Sequence, residues 1–198
     1  MYSGGLDSLG TLYKLLTEPK YKDYLIHVHH VHNSNIELRD KAEAISVKLA
    51  LNELNKLGFK FNYSESSISS PAYGNNWLFD TDTMAFFAGY ICSVNPDIDS
   101  VANGMNAEDA NPRLEKLLVR RSAILAAFTS VETIYPVLNM TKREIYDMLP
   151  ESLKNKFWSC RRPVYLVNEI KPCDRCHTCH KLKQQGIPQT YLPKFILL

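Results

Sequence analysis

The chain has 198 residues, 45% of them hydrophobic and 22% charged, with a formal charge of +2. That length holds one domain, or one domain with a small appendage, and the composition excludes disordered and fibrous classes. The weak charge argues against strong non-specific nucleic-acid binding. No apolar run approaches the ~20 residues of a membrane helix, and residues 1–20 lack the pattern of a signal peptide. Five cysteines in that setting point to a reducing compartment, so a cytoplasmic protein is expected. Under those conditions the cysteines read as metal ligands or free thiols before disulfides.

In chain order, Leu9, Leu12, Leu15 and Leu16 mark a helix over 8–17, closed by Pro19. Residues 24–32 are β-rich and predict a strand. Ser34 and Glu37 have capping-box spacing, which predicts a helix from there to about Leu57, stopped by Gly58. Phe59 to Tyr63 alternates as a strand, and residues 64–76 read as a loop. Asp80 to Ile91 is expected to be helical, capped by Asp80 or Thr81. Ser100 to Asn103 is a short strand entering Gly104, and a helix follows Pro112 over 113–128. Glu132 to Pro136 is another short strand. Thr141 and Glu144 form a second capping box, opening a helix to Leu149. Strands alternating with helices predict an open, mostly parallel α/β sheet with helices on both faces. Two units are expected: 1–150 as the α/β domain, and 151–198 as a cysteine-rich segment packed on it.

Ser3-Gly4-Gly5-Leu6-Asp7-Ser8 stands directly before the first helix. Paired glycines allow positive φ and close backbone approach to a ligand. The helix N-terminus behind them offers unpaired N–H groups and partial positive charge, which suit a phosphate. Ser3 and Ser8 add hydroxyls. The lysine of a Walker loop is absent. Asp7 would repel bare phosphate and makes sense beside Mg²⁺ or a ribose hydroxyl. The glycines alone would also fit a turn that merely caps a helix.

Cys160, Cys173, Cys176 and Cys179 form C-x12-C-x2-C-x2-C. Four soft ligands suit a closed tetrahedral Zn²⁺ site, with an iron–sulfur cluster as the competitor. His177 and His180 could each replace one sulfur. A closed site is structural, and it is expected to pin the C-terminal segment onto the sheet. Lys171, Arg175, Lys181 and Lys183 make this tail basic, as a solvated face or as a rim for an anionic ligand. Cys92 sits among apolar helix residues and reads as a small core residue. Four histidines, His27, His29, His30 and His32, alternate faces along the predicted strand. A strand end bordering a nucleotide pocket accounts for them better than a metal site.

The six-residue loop resembles the Ser-Gly-Gly-x-Asp-Ser signature of the PP-loop ATP pyrophosphatase superfamily. With the four late cysteines, the chain resembles the 7-cyano-7-deazaguanine synthase family of queuosine biosynthesis. Gly104-Met-Asn106-Ala-Glu-Asp109 looks like that family's G-x-N-x-x-D stretch. The segment from Pro136 to Ile145 looks like its P-L-x-x-x-x-K-x-E-I stretch, and Phe157-Trp158-Ser159-Cys160 like its T-W-S-C. The resemblance covers residues 1–187. It implies a Rossmann-like fold of the adenine nucleotide alpha hydrolase type with a C-terminal zinc-binding segment. It also implies a ligase that uses ATP and ammonia to turn 7-carboxy-7-deazaguanine into a nitrile, releasing AMP and pyrophosphate.

Carried over, the resemblance assigns Ser3, Gly4, Gly5, Leu6, Asp7 and Ser8 to the ATP phosphates, with Asp7 and Ser8 nearest the chemistry. It lays Val28, His29 and His30 along the adenosine. It puts Gly104, Asn106 and Asp109 at nucleotide or deazapurine contacts and Lys142 toward the phosphates. Cys160, Cys173, Cys176 and Cys179 hold zinc. Family members are often homodimers, so a homodimer is admissible. Three segments depart from the family: residues 70–79 lack an arginine, His30 to Asn33 replaces a Tyr-Gly-Gln-like stretch, and Asn111 to Arg113 is reduced. Substrate recognition would be written there, which leaves open another deazapurine, another carboxylate, and a phage or defence-island setting. A tRNA sulfurtransferase of the superfamily and a nucleotide-binding module without turnover are the competing functions. In the superfamily a buried apolar strand precedes the loop. Only Met1 and Tyr2 do so here, so either residues are missing before them or another segment fills that slot.

Overall fold

A computed structural model describes residues 1–69, 80–109 and 112–193. The fold is α/β. Helix α1 spans Leu6–Thr17, strand β1 His27–Ser34, helix α2 Asp40–Lys56 and strand β2 Asn62–Ser69. Helix α3 spans Asp80–Val94, strand β3 Ser100–Ala102, helix α4 Pro112–Ala126, strand β4 Glu132–Ile134 and helix α5 Lys142–Met148. The C-terminal part holds β5 (Val164–Tyr165), β6 (Glu169–Lys171), α6 (His177–Gln184) and β7 (Leu192–Pro193).

The expected single sheet is not formed by the described strands. They make a parallel β1–β2 pair, a parallel β3–β4 pair and an antiparallel β5–β6–β7 sheet. Residues 1 and 2 stand between the two parallel pairs. The Tyr2 N–H donates to the His29 carbonyl at 2.8 Å, and the Met1 amino group lies 3.4 Å from the Ala102 carbonyl. Among the described residues the two pairs are separate sheets.

Two local expectations are corrected. Ser34 does not cap α2. It ends β1, and the Asn35 side chain accepts the Glu37 N–H at 2.9 Å, turning the chain before a helix that begins at Asp40. Glu37 is thereby freed to pair with arginines. Strand β2 runs to Ser69 through the expected loop, because all eight of its residues pair with β1. Its Ser and Glu residues suit an edge strand with one face in water. The Thr141–Glu144 capping box forms as expected, each side chain satisfying the other's backbone N–H.

The main core joins Leu6, Leu9 and Leu12 of α1, Val28 of β1, and Val47, Ala50, Leu51 and Leu54 of α2. Ile145, Leu153, Phe157, Leu182 and Ile187 complete it, so the C-terminal segment shares the core of the first 150 residues. A second cluster sets Trp158, Cys160, Ile170, Cys179 and Leu192 against Ala42. The cysteine-rich segment therefore packs on helix α2, while its Leu182 and Ile187 join the core that Val28 of β1 shares. The periodic residues Ala42, Ile45 and Leu49 of α2 supply an apolar stripe there. Cys92 is buried with Ala88, Val101 and Leu125, the environment of a small core residue.

The histidines of β1 are held by the fold. His27 Nε2 and His29 Nδ1 each lie 2.7 Å from Ser64 Oγ. His30 is 1% exposed, with Nδ1 2.9 Å from the Tyr2 carbonyl and Nε2 without a partner. Burial pushes the His30 pKa down to about 4, against the opposing hydrogen bond to Tyr2. The unfolded chain takes up that proton near pH 6.5 and the folded one only near 4, so folding is weakened as pH falls between them. His30 alone should cost about 2–3 kcal/mol of stability on acidification from about pH 7 to 4. Urea titrations across that range should show His30→Gln with a flatter profile than wild type.

Gly10 marks the crossing of α1 over α5. A Cβ there would stand 2.3 Å from Ile145 Cγ2. Gly10→Ala should therefore destabilise the fold by about 1–3 kcal/mol despite its better helix propensity. Chemical denaturation should show part of that loss recovered in Gly10→Ala/Ile145→Ala.

Candidate functional site

The loop before α1 is built around Gly4, whose φ of +77° is left-handed. A side chain would be strained there, and its Cβ would stand 3.0 Å from Val47 Cγ2 and 3.1 Å from the Glu43 carbonyl. Gly5 caps α1 in an extended conformation, with no side chain accepting the helix N–H groups. The Ser8 hydroxyl donates to the Gly5 carbonyl at 3.0 Å and lies 3.1 Å from the Ser3 hydroxyl. The first turn of α1 thus carries no side-chain cap, and the Ser3 and Ser8 hydroxyls lie beside it.

The loop is anchored from behind. The Gly4 carbonyl accepts the Trp158 N–H at 2.8 Å and the Ser46 hydroxyl at 3.0 Å. Ser46 lies between the loop and the Lys156 carbonyl, 2.9 Å away. From the other side Gly104 presses on the loop. A Cβ on it would stand 3.0 Å from the Asp7 carbonyl carbon and 3.1 Å from the Ser8 nitrogen. Only glycine lets the β3–α4 segment come this close.

These segments enclose a cleft of about 440 Å³. Ser3, Gly5, Leu6, Asp7 and Ser8 line it, as do Gly104, Asp109 and Lys142. Those eight sequence-selected residues are brought together. Gly4 and Asn106 support the lining from behind, Asn106 accepting the Glu108 N–H at 2.8 Å while its own N–H donates to Asp109 at 3.2 Å. Val28, His29 and His30 do not line the cleft. They point into the core or toward β2, and the end of the same strand, Val31 and Asn33, borders the cleft instead. Strand β1 starts and ends later than expected, running to Ser34 instead of residue 32, so its mouth lies further along. Residues 70–79 and 110–111 fall outside the described residues, and two of the three departing segments lie there wholly or in part.

Lys142 is 8% exposed and ion-paired through Nζ to Asp7 Oδ2. Its own backbone N–H donates to Glu108 at 2.9 Å. Burial pushes the Asp7 carboxyl above the ordinary carboxylate range, and the Lys142 ammonium opposes that. Asp7 Oδ1 is buried without a partner.

Sequence reasoning missed the other end of the cleft. Arg39 pairs with Glu37 at 2.9 Å and also with Glu43 and Asp80. Arg161 pairs with Glu37 at 2.8 Å and Asp80 at 3.3 Å. Burial pushes the Glu43 carboxyl up to about 7, against the pull of Arg39. The i,i+4 spacing of Arg39 and Glu43 was the visible signal for part of this network. Trp158, Ser159, His177, Thr178 and Lys181 also border the cleft, so the start of α6 forms one wall. Of the basic tail residues, Lys181 is the one at this rim, 3.8 Å from Glu108.

The four cysteine sulfurs lie within 4.8 Å of one another. Cys173 and Cys179 Sγ are 3.9 Å apart, and Cys176 and Cys179 Sγ 3.4 Å. A tetrahedral ion with bonds of about 2.3 Å spaces its sulfurs about 3.8 Å apart, so the group could hold an ion such as zinc. Backbone N–H groups of Arg162 and Cys173 reach Cys160 Sγ at 3.4 and 3.2 Å, where they would stabilise a metal-bound thiolate. The knuckle turns at Asp174, φ +58°, a residue type that tolerates this conformation. The Trp158 indole donates to the Cys160 carbonyl at 2.8 Å, fixing the first ligand beside the anchored loop. Burial pushes the Cys160 thiol up to about 11 without a metal, so binding must displace its proton.

No family model, curated protein or solved structure matches this chain. Metal analysis of the purified protein should return one zinc per chain and none in Cys173→Ser. An absorption band of an iron–sulfur cluster would identify the other occupant of the same four ligands. Chelation should loosen residues 158–193 first, read as new protease cuts there, since their own apolar cluster is small.

Proposed function

We propose that this protein is a PP-loop enzyme that adenylates a carboxylate with ATP, resembling 7-cyano-7-deazaguanine synthases. The observation that carries this reading is one convergence: the glycine loop at the start of α1, Lys142 and Asp7 meet on one wall of one cleft. The position of residues 1–2 between β1 and β3 supports a Rossmann-like layout, with the parallel strands ordered β2, β1, β3, β4 around the loop. The four-cysteine group, joined to that loop through Trp158, supports the zinc-bound family within the superfamily.

In this reading the loop N–H groups and the Ser3 and Ser8 hydroxyls hold the ATP phosphates. Lys142 turns from Asp7 far enough to offset charge on the departing pyrophosphate. Bound Mg²⁺ would supply further charge neutralisation there, and Asp7 is the residue that would hold it. A carboxylate oxygen of 7-carboxy-7-deazaguanine attacks the α-phosphorus, and the bond to pyrophosphate breaks. Ammonia then displaces AMP and gives up a proton to leave an amide; a second ATP adenylates the amide oxygen, and loss of AMP and the remaining N–H protons leaves the nitrile. Leu6 and Gly5 keep the wall tight against the phosphates, while Trp158 and the start of α6 close the opposite side. The zinc stays outside the chemistry, because its four sulfurs leave no open position.

The test is an incubation with ATP, magnesium, ammonia and 7-carboxy-7-deazaguanine, followed by mass spectrometry. AMP, pyrophosphate and the nitrile are expected. Lys142→Met should lower kcat/KM by about 100-fold, as loss of one charge-stabilising donor does. Asp7→Asn should lower it similarly and also cost stability, because it leaves the buried Lys142 ammonium without its carboxylate, so its melting temperature is read alongside. ATP binding with no AMP for this substrate would replace the reading by a nucleotide-binding module. AMP formed only with tRNA and a sulfur donor would replace it by a sulfurtransferase.

A further inference from the structure

Among the described residues five strong bases line the cleft, and four of them face a carboxylate. Lys142 faces Asp7, Lys181 faces Glu108, and Arg39 and Arg161 share Glu37 and Asp80. The fifth is Arg121, on the inner face of α4. It is 9% exposed and lines the cleft, yet among the described residues it makes no ion pair or hydrogen bond. Its neighbour Arg120 turns outward instead, to Asp82 at 3.0 Å. Burial pushes the Arg121 pKa below its ordinary value, with Tyr135 the opposing influence. A guanidinium on a largely buried residue, beside the Met1 amino group and with no counter-ion, weakens the ligand-free fold. Such a charge is retained where a ligand supplies its partner. Arg121 also shares its part of the lining with Asn103, Gly104 and Met105, and Gly104 lies against the backbone of Asp7 and Ser8. The unpaired base and the open end of α1 therefore face one cavity, of a size that suits a nucleotide-sized ligand.

We infer that Arg121 binds an oxyanion of the ligand in this cleft, a phosphoryl or a carboxylate oxygen, as a further binding residue beside the loop. This rests on the ATP-and-carboxylate reading for the identity of the anions, and on the unpaired charge for the residue. The planar fork of a guanidinium grips two oxygens of either group at once.

Calorimetric titrations of wild type and Arg121→Gln with Mg-ATP, pyrophosphate, 7-carboxy-7-deazaguanine and its neutral nitrile test it. Arg121→Gln should weaken one class of anion by about 10- to 100-fold and leave the nitrile within about twofold. Loss confined to ATP and pyrophosphate identifies a phosphoryl partner, and loss confined to the carboxylate identifies the acceptor. Without ligand, Arg121→Gln and Arg121→Met should melt at or above the wild-type temperature, since each removes an unpaired buried charge. Equal anion binding by Arg121→Gln and a wild type that binds ATP well would overturn the inference alone. A ligand-free Arg121→Met melting far below wild type would overturn it too, by showing a structural role. A wild type that binds none of the anions would overturn it together with the ATP reading.

Discussion

The Gly4 carbonyl is the joint on which this structure turns. It accepts hydrogen bonds from Trp158 and Ser46. The first bond ties the glycine loop to the segment that leads into Cys160. The second ties it to helix α2, with the single Ser46 hydroxyl proton shared between the Gly4 and Lys156 carbonyls. A loop of two glycines has little stiffness of its own and loses much entropy when ordered. Here the left-handed turn at Gly4 is over-determined by its neighbours, so the start of α1 is presented in one orientation. The same joint holds Trp158, whose indole fixes Cys160. The cysteine group and the glycine loop are therefore linked through Trp158.

Charge in the cleft is distributed by burial. At one end Lys142 and Asp7 pair beneath the loop, leaving one Asp7 oxygen unpartnered. At the other, Arg39 and Arg161 are satisfied by Glu37, Glu43 and Asp80, which makes that end rigid and nearly neutral. Buried pairs of this kind contribute little net stability, because desolvation offsets their attraction. Their effect is to hold the residues after β1 and the residue after Cys160 against the first turn of α3. The rigid end shapes the cleft, and the end with unsatisfied groups is where a ligand has something to gain.

Much of the site was legible in one dimension, because its parts are local motifs. A helix N-terminus behind Gly-Gly, a Cys-x2-Cys pair and a Thr–Glu capping box each depend on residues a few positions apart. Spacing alone therefore implied anion binding at Ser3–Ser8, a metal group at Cys160, Cys173, Cys176 and Cys179, and a helix opening at Lys142. The elements between followed from the periodicity of Leu9, Leu12 and Leu16, and of Ala42, Ile45 and Leu49. Local pattern misplaced the start of α2, since Asn35 took the backbone N–H that a Ser34 cap would have needed. It also missed β2 beyond Tyr63, whose polar residues are strand only because β1 pairs with them.

Long-range packing decided the rest. Nothing in the spacing of residues says that Gly104 presses on Asp7, or that Lys142 and Asp7 pair across 135 positions. The cysteine segment packs on helix α2 because α2 offers the nearer apolar stripe, a preference visible only once both elements exist. Arg121 and Arg120 are adjacent and chemically identical in the sequence, and only the packing of α4 turns one into the cleft and the other to Asp82. By itself, then, the sequence determined which motifs could bind an anion and a metal, since those depend on backbone geometry over a few residues. Tertiary structure alone decided which charges meet, which are buried and which are left without a partner, because burial and long-range pairing belong to the folded chain as a whole.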